Sequence, residues 1–463
     1  MTASSSNVPS RVRCYCVDTT DARRGDQGLS WIELDREARR VSFIGPNNRE
    51  IETHDTAAAA SAAFDELVAR QRERGWAVVD DEVAAHEALS AREPELEQAI
   101  RDAPDDDQLR EVYADWLQQQ GDVRGELMAL QIARGQARRG NPEQSLGLAE
   151  RALLSRHGGH LLGDVAWSER LSEVELSWAR GFVIEAALRL AVHDPKAVAH
   201  LLRALFALPV CMLLERVSVS SDRDSAAFFD GLRGARLPES VESLRVGDGR
   251  DVTERSGHVD ASEVWHQLTA LQRLSVSCGD FVVPEGAGLS RLRELSVRAR
   301  RLGSGAMARL SRLSMPALEL LELRCGTAAY DPFWRRRYRA YYWDYYGDDD
   351  IDRPGLAADE IVQLLFARGY GALRRLELSE LSCGDDLAER LAGAPLLAQL
   401  EVLVLRDVAM TDEGARRIAE NRDAFEHLYA LHLERNVIGR RGERMLRRAL
   451  GDRAIVGLQR EQG

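Results

Sequence analysis

The densest concentration of reactive and adhesive side chains lies between residues 330 and 350. Of the chain's ten Tyr, ten Phe and eight Trp, nine fall within 17 residues: Tyr330, Phe333, Trp334, Tyr338, Tyr341, Tyr342, Trp343, Tyr345 and Tyr346. Arg335, Arg336, Arg337 and Arg339 are interleaved with them, and Asp348, Asp349 and Asp350 follow. Tyr, Trp and Arg dominate interface hot spots because they offer area and a polar tip for little entropy loss, and such density is costly to leave bare in water. Three uses fit: packing back on the fold with Arg stacked on Tyr, a protein-binding protrusion, or base stacking on a single strand with Arg on phosphates. The Asp run opposes the last by repelling a phosphate backbone.

Other chemistry-bearing residues are sparse. His157 and His160 flank two glycines without a third ligand at a usual metal spacing, so they are expected in a surface loop. Asp105, Asp106 and Asp107 lack the alternating ligands, central Gly and distant Glu of a calcium loop, and one of them is expected to cap a helix. Lys196 is the only lysine, and no GxxxxGK[ST], GxSxG, HExxH or GxGxxG pattern occurs. The six cysteines have no CxxC spacing, although Cys14 and Cys16 would share one face of a strand; all six are expected to be reduced packing residues. The expectation is a protein that is not an enzyme, with no cofactor and no metal.

The elements that must carry these residues follow from periodicity. At 463 residues the chain exceeds one ordinary hydrophobic core. Its formal charge of -13 disfavours general binding to polyanions, and no run of about 18 apolar residues or apolar leader segment is seen, so a cytoplasmic protein without membrane spans is expected. Residues 1–10 are polar and expected to be disordered. Residues 11–18, 31–35 and 39–45 alternate like strands, and Gly45-Pro46-Asn47-Asn48 reads as a turn. An alanine-rich stretch after Thr56, with Phe64, Leu67 and Val68 at helical spacing, ends at Gly75 before Trp76. From Pro94, Leu96 and Ile100, then Leu109, Tyr113 and Leu117, mark short amphipathic helices, with Gly121-Asp122 as a stop.

The strand-and-helix order of residues 11–80 resembles the WGR domain of poly(ADP-ribose) polymerases and many bacterial proteins. Where that family has Trp-Gly-Arg-Ile-Gly this chain reads Val41-Ser42-Phe43-Ile44-Gly45. The family's DNA-contacting Trp and Arg are therefore absent, and 11 Arg against 13 Asp and Glu over residues 11–80 point away from nucleic acid too. Residues 92–135 resemble the bacterial repeat-companion domain: Pro104, Asp105, Asp106, Tyr113, Ala114, Asp115, Trp116, Leu117, Gly121, Asp122, Arg124, Gly125 and Glu126 match its core. That resemblance implies a repeat array downstream and no activity. Residues 136–170 are expected to be a helical linker, and Ala179-Arg180-Gly181-Phe182-Val183 resembles the junction found in such proteins.

From residue 171 to 463 an LxxLxL-type segment recurs, centred on Val217, Leu244, Leu274, Leu295, Leu321, Leu376, Leu403 and Leu431. Helical spacing follows each, and the gap between Leu321 and Leu376, near two periods, holds the aromatic insertion at 327–355. The last unit, with Asn436, Ile438, Gly439 and Gly442, resembles a ribonuclease-inhibitor-type leucine-rich repeat. Gly279, Arg300, Gly326, Leu381 and Val408 replace the asparagine earlier, so an incomplete asparagine ladder is expected. The fold class expected is α/β, a leucine-rich-repeat solenoid with parallel strands inside and helices outside, preceded by a small α+β module and a helical segment. Between the leucines, one column of side chains runs Ser275, Ser296, Glu322, Glu377, Val404 and His432, and a second runs Ser277, Arg298, Arg324, Ser379, Arg406 and Glu434. Mixed charge on that face favours a protein partner. The function expected is a non-catalytic adaptor, inhibitor or regulated target acting through this face and the insertion. The alternative is a nucleic-acid-responsive regulator using residues 11–80 or the insertion. The partner's identity and the oligomeric state stay open.

Overall fold

The computed structural model describes residues 11–18, 30–45, 48–73, 76–81, 91–137, 141–162, 171–190, 195–221, 226–247, 258–286, 288–302, 305–325 and 358–459. The aromatic segment from Tyr330 to Tyr346 lies outside the described residues. Contacts divide the chain into two units: Met1–Ser168 with Trp178–Val183 and Ala207–Leu213, and Glu169–Ser177, Ile184–Phe206 and Leu214–Gly463.

The first unit holds an antiparallel sheet in the order β4-β3-β2-β1-β5, made of β1 (Arg11–Asp18), β2 (Ser30–Asp35), β3 (Arg40–Gly45), β4 (Asn48–Thr53) and β5 (Trp76–Asp81). Alternation explains its one-sided core. Ile32, Leu34 and Val41 project to the face covered by helix α1 (Ala57–Glu73), where they bury Ala60, Phe64 and Val68. The β2–β3 turn is closed by Asp35 Oδ1, which accepts from the Ala38 amide at 2.8 Å, and Arg39 takes φ +54°. Strands β4 and β5 add to the three that alternation predicts; β4 is charged and carries little apolar signal, and the apolar run of β5 is too short to alternate.

Four helices follow within this unit: α2 (Pro94–Asp102), α3 (Asp107–Gln119), α4 (Val123–Gln136) and α5 (Asn141–Leu162). Asp106 caps α3, its Oδ1 accepting from the amides of Gln108 at 2.9 Å and Leu109 at 3.3 Å. Asp122 caps α4 in the same way, accepting from the Arg124 amide at 2.9 Å. Ile100, Tyr113, Leu117, Met128, Phe182 and Leu213 form the shared core. His157 and His160 stand inside the last turns of α5 instead of the expected loop, because flanking helix formers carry the two glycines through.

The second unit is an α/β structure on a large, mostly parallel sheet. Its strands are β6 (Leu171–Ala179), β7 (Phe182–Leu190), β8 (Arg216–Ser221), β9 (Ser243–Val246), β10 (His258–Asp260), β11 (Arg273–Val282), β12 (Glu294–Leu302), β13 (Leu320–Cys325), β14 (Arg375–Ser379), β15 (Val402–Arg406), β16 (Ala430–His432) and β17 (Ala454–Ile455). They lie in chain order from β6 to β17, with β10 pairing only β11. Arg180 and Gly181, at φ +52° and +87°, join β6 to β7, the pair of positive angles a two-residue hairpin turn needs.

From β7 onward the ladder is parallel and in register. Ala186, Val217, Leu244, Leu274, Leu295, Leu321, Leu376, Leu403 and Leu431 form one inward column. All are at most 2% exposed, and each buried Leu contributes about 2 kcal/mol of transfer free energy. One backbone hydrogen bond recurs just before the strands: Gln272 N to Glu242 O, Arg293 N to Gln272 O, Glu319 N to Arg293 O, Arg374 N to Glu319 O and Glu401 N to Arg374 O, at 2.7–2.9 Å. After β14, β15 and β16 the chain turns through a left-handed residue, Glu380, Asp407 and Arg435, with φ of +59°, +55° and +63°. Helices such as Gly384–Leu391, Asp412–Glu420 and Arg440–Leu450 then return the chain toward the next strand.

Carboxylates tie these returns together. Asp385 Oδ1 accepts from the amides of Thr411 and Gly414 at 2.8 Å each, and Asp412 Oδ1 accepts from those of Gly439 at 2.7 Å and Gly442 at 3.1 Å. A side chain at Gly442 would place its Cβ 2.5 Å from that carboxylate, so the amide is reachable only because the residue is glycine. Asn436, fully buried, accepts from the amides of Val408 and Met410 and donates to the Leu405 and Leu433 carbonyls. Where Leu381 stands at the corresponding place, its own amide bonds directly to Asp407 O at 3.0 Å. Among the described residues no helix is long and apolar enough to cross a membrane.

Candidate binding face

Strand period 2 puts the residues between the inward columns on the opposite face of the second sheet. The register aligns Ala187, Ser218, Arg245, Ser275, Ser296, Glu322, Glu377, Val404 and His432 as one column. Two residues further along the strands, Ser277, Arg298, Arg324, Ser379 and Arg406 form a second. Thus Glu322, Arg324, Glu377, Arg406, His432 and Glu434, singled out from the sequence, share one face. All six are half-buried.

These charges neutralise one another, mostly across strands and in one case along a strand. Glu322 accepts from Ser296 Oγ at 2.6 Å and from Arg298 Nε at 3.1 Å. The Arg324 guanidinium binds Glu380, and Arg375 binds Glu377. Arg406 grips both oxygens of Glu434 at 3.2 and 3.1 Å, with His432 Nδ1 within 3.3 Å of both side chains. The hydrogen bond to Glu434 raises the pKa of Arg406. Burial works against ionisation of Glu434, but the bonds from Arg406, from its own backbone amide and from His432 outweigh it and hold the carboxyl below its usual range. Asp407 and Arg435 add a pair at 2.9 Å. Fixed, paired charges give a partner a defined pattern of donors and acceptors without a strong net field.

Glu380, Asp407, Arg435 and Arg375 were not legible as members of this face. The one sequence signal of Glu380, Asp407 and Arg435 is recurrence of a charged residue just after the leucine segments at spacings of 27 and 28 residues, and Arg375 has no such signal. The face changes character toward its amino-terminal end. There Ser218, Ser220, Arg189, Arg245, Gly247 and Glu175 surround a hollow of about 250 Å³.

The first unit has a larger hollow of about 510 Å³, lined by residues that include Asp107, Gln131, Arg134, Glu143, Glu150 and Trp178. Most of its polar groups are engaged with each other. Glu150 accepts from Gln131 at 2.6 Å and from Arg134 at 2.7 Å, Gln131 Oε1 accepts from the Gly181 amide at 2.6 Å, and Arg180 bridges Asp105 and Asp107. Nucleophilic chemistry is disfavoured at three of the six cysteines, since burial pushes the thiols of Cys211 and Cys278 up to about 12 and that of Cys383 up to about 11. No group of three His, Cys, Asp or Glu that could hold a metal occurs among the described residues.

The sequence matches no family model. No curated protein matches it. Among solved structures it is similar to a protein from Bacteroides fragilis, at 14% identity over 97% of each chain with a TM-score of 0.44.

Proposed function

We propose that this chain is a non-catalytic protein-binding scaffold of the leucine-rich-repeat kind, with a WGR-like module at 11–80, a repeat-companion segment at 92–135, a helical linker at 136–170 and a repeat array at 171–463. The observation that carries the reading is the columnar alignment of half-buried, mutually paired charges on one face of the parallel sheet. Such a face is pre-organised, so a partner would bind without having to order it. The insertion at 327–355 supplies the aromatic and Arg anchors by its composition, with Tyr330, Trp334, Tyr338, Trp343 and Tyr346 the residues of choice.

Affinity capture with the intact protein tests this, beside two variants. One has residues 330–350 replaced by a Gly/Ser linker; the other carries Glu377→Arg with Arg406→Glu. One protein captured by the intact chain, retained as salt is raised and lost from either variant, is the expected result. Equal capture by all three forms overturns the assignment of the site. Co-purifying nucleic acid released steeply by salt overturns the protein-binding reading itself, because phosphate contacts are driven by counterion release.

A further inference from the structure

Three helices of the second unit follow one electrostatic rule, and the helix Arg440–Leu450 breaks it. The helices Ala358–Leu365, Gly384–Leu391 and Asp412–Glu420 each carry two acidic residues in the first turn, Asp359 and Glu360, Asp385 and Asp386, Asp412 and Glu413. Carboxylates there suit the positive end of the helix dipole. Every arginine of these helices is paired: Arg390 with Asp359 at 2.7 Å, Arg416 with Glu413 and Glu420, and Arg417 with Glu389 and Glu413. The helix Arg440–Leu450 instead opens on Arg440 and Arg441 and carries five arginines against one glutamate.

Gly442 faces the helix Asp412–Glu420, where its close neighbours include Asp412 and Ala415, and Leu446 and Leu450 are buried. With about 100° between successive residues, Arg440, Arg441, Arg444, Arg447 and Arg448 fall together on the side turned away from Gly442 and Leu446. All five are exposed. Arg447 pairs with Glu443 at 2.8 Å, whereas Arg440, Arg441, Arg444 and Arg448 have no carboxylate partner among the described residues. Arg444 has like charges three and four residues away in both directions, an arrangement that destabilises a helix. In a chain of net charge -13, this is a concentrated positive stripe about 12 Å long.

We infer that this stripe docks an acidic helical segment of a protein partner, with Arg440, Arg444 and Arg448 as its principal contacts. Carboxylates at three- and four-residue intervals on such a segment repeat at the spacing of the arginines, and each guanidinium can grip one through two N–H groups. A nucleic-acid duplex fits less well, because it is wider than one helix and would bring phosphates toward Glu389, Glu413 and Glu420 on the neighbouring helices. A second copy of the chain fits less well too, since Asp359, Glu389, Glu413 and Glu420 are already bound to arginines of their own. The stripe lies on the helix layer, across the sheet from the strand face proposed above, and rests on that reading only for the existence of a protein partner.

The test titrates the full chain into a labelled, capped, alanine-based helical peptide with glutamate at every third or fourth position, and into its glutamine and lysine counterparts, following fluorescence anisotropy. The expected result is saturable binding of the glutamate peptide, weakened by salt, and none of the other two. Arg444→Glu with Arg448→Glu should weaken the glutamate peptide by about tenfold or more and admit the lysine peptide in its place. The same reversal relieves like-charge repulsion within the helix, so the thermal midpoint should not fall and lost binding reports the contact. Arg273→Glu with Arg291→Glu, at two exposed arginines elsewhere on this unit, should leave binding unchanged. No saturation by the glutamate peptide, equal loss from the two reversals, or a short DNA duplex binding as tightly as the peptide would each overturn the proposal. Self-association of the chain abolished by the reversal at Arg444 and Arg448 would overturn it as well, by making a second copy the occupant. Such a failure leaves partner capture by the strand face untouched, whereas failed capture leaves this titration unchanged.

Discussion

The helices between residues 91 and 137 and the parallel strands between residues 214 and 459 are stabilised in opposite ways. In the helices, a few buried polar groups are each satisfied by a small set of specific partners. Arg124, 2% exposed, lays its guanidinium on Asp122, itself 4% exposed, with contacts of 2.6–3.0 Å, and also donates to the Ala91 carbonyl. Tyr113 Oη donates to Glu97 Oε1 at 2.8 Å, and Arg92 holds both oxygens of the same carboxylate at 2.6 Å. The strands rely on repetition instead: many equivalent apolar residues, none with a unique partner. A uniquely satisfied buried charge is fragile to a single deletion, whereas a repeated apolar column loses only one of many similar contributions.

The largest expected effect follows from that asymmetry. Asp122→Ala leaves the Arg124 guanidinium buried without its counterion and should cost about 3–5 kcal/mol. Hydrogen exchange read by peptide should show residues 91–137 opening while the strand region keeps its protection. Pairing the change with Arg124→Met should return much of the loss, because an uncharged, similarly shaped pair carries no desolvation penalty. Failure of the double variant to recover would mean that the Ala91 and cap contacts, not the ion pair, hold this region.

Leu403→Ala comes next. The residue is fully buried, and its truncation should cost about 3 kcal/mol by lost transfer energy and an unfilled cavity. The same change at Leu376 or Leu295 should cost nearly the same. Equal values support the repeated-column picture, and a spread wider than about 2 kcal/mol would break it.

How much of this was readable beforehand depends on the range of the interaction. Leu274, Leu295, Leu321, Leu376, Leu403 and Leu431 announce themselves because period-2 alternation and a near-constant interval are local properties of sequence. The residues between them were legible for the same reason, which is why Glu322, Glu377, Arg406 and His432 could be placed on one face. Their pairing was not, since Arg298 meets Glu322 across 24 residues and Arg324 meets Glu380 across 56. Left-handed Glu380, Asp407 and Arg435 were invisible because Glu and Arg have no preference for positive φ and the mild preference of a single Asp is no signal; the surrounding strand and helix impose it. The aromatic residues from Tyr330 to Tyr346 remain a reading of composition.

A smaller effect concerns the carboxylates that tie successive returns. Asp412→Ala removes two backbone acceptor contacts on a half-buried side chain and should cost about 1–2 kcal/mol, localised by hydrogen exchange to residues 412–450. Gly442→Ala should match it with the carboxylate present, because the new methyl would collide with Asp412. In the Asp412→Ala background the same glycine change should cost less, the close approaches that remain being to Ile438 Cγ2 at 2.8 Å and Ala415 Cβ at 3.0 Å. This coupling is what a contact between neighbouring units predicts, and additivity would show that the two residues act apart.

The smallest effect is acid sensitivity, and it separates the two regions most directly. Burial disfavours ionised Glu97, yet the hydrogen bonds from Arg92 and Tyr113, with the nearby charges of Arg92 and Arg101, hold its carboxyl below the ordinary value of 4.5. Glu434 is lowered too, against its own burial, chiefly by Arg406. A depressed folded-state pKa means the unfolded chain takes up the proton first. Each group therefore contributes stability that is fully present above pH 4.5 and is lost as the pH falls from there through the folded value. Glu97 is 1% exposed, whereas Arg406 and Glu434 keep substantial contact with solvent, which screens their attraction. Urea midpoints measured from pH 7 to pH 3 should hence fall more steeply for residues 91–137 than for residues 400–459. Glu97→Gln should flatten the first profile while lowering its plateau at neutral pH, and Glu434→Gln should barely change the second. Equal flattening by the two would mean that the charges of the candidate face are held as tightly as the buried cluster, and that this face is part of the stabilising core as well as a surface.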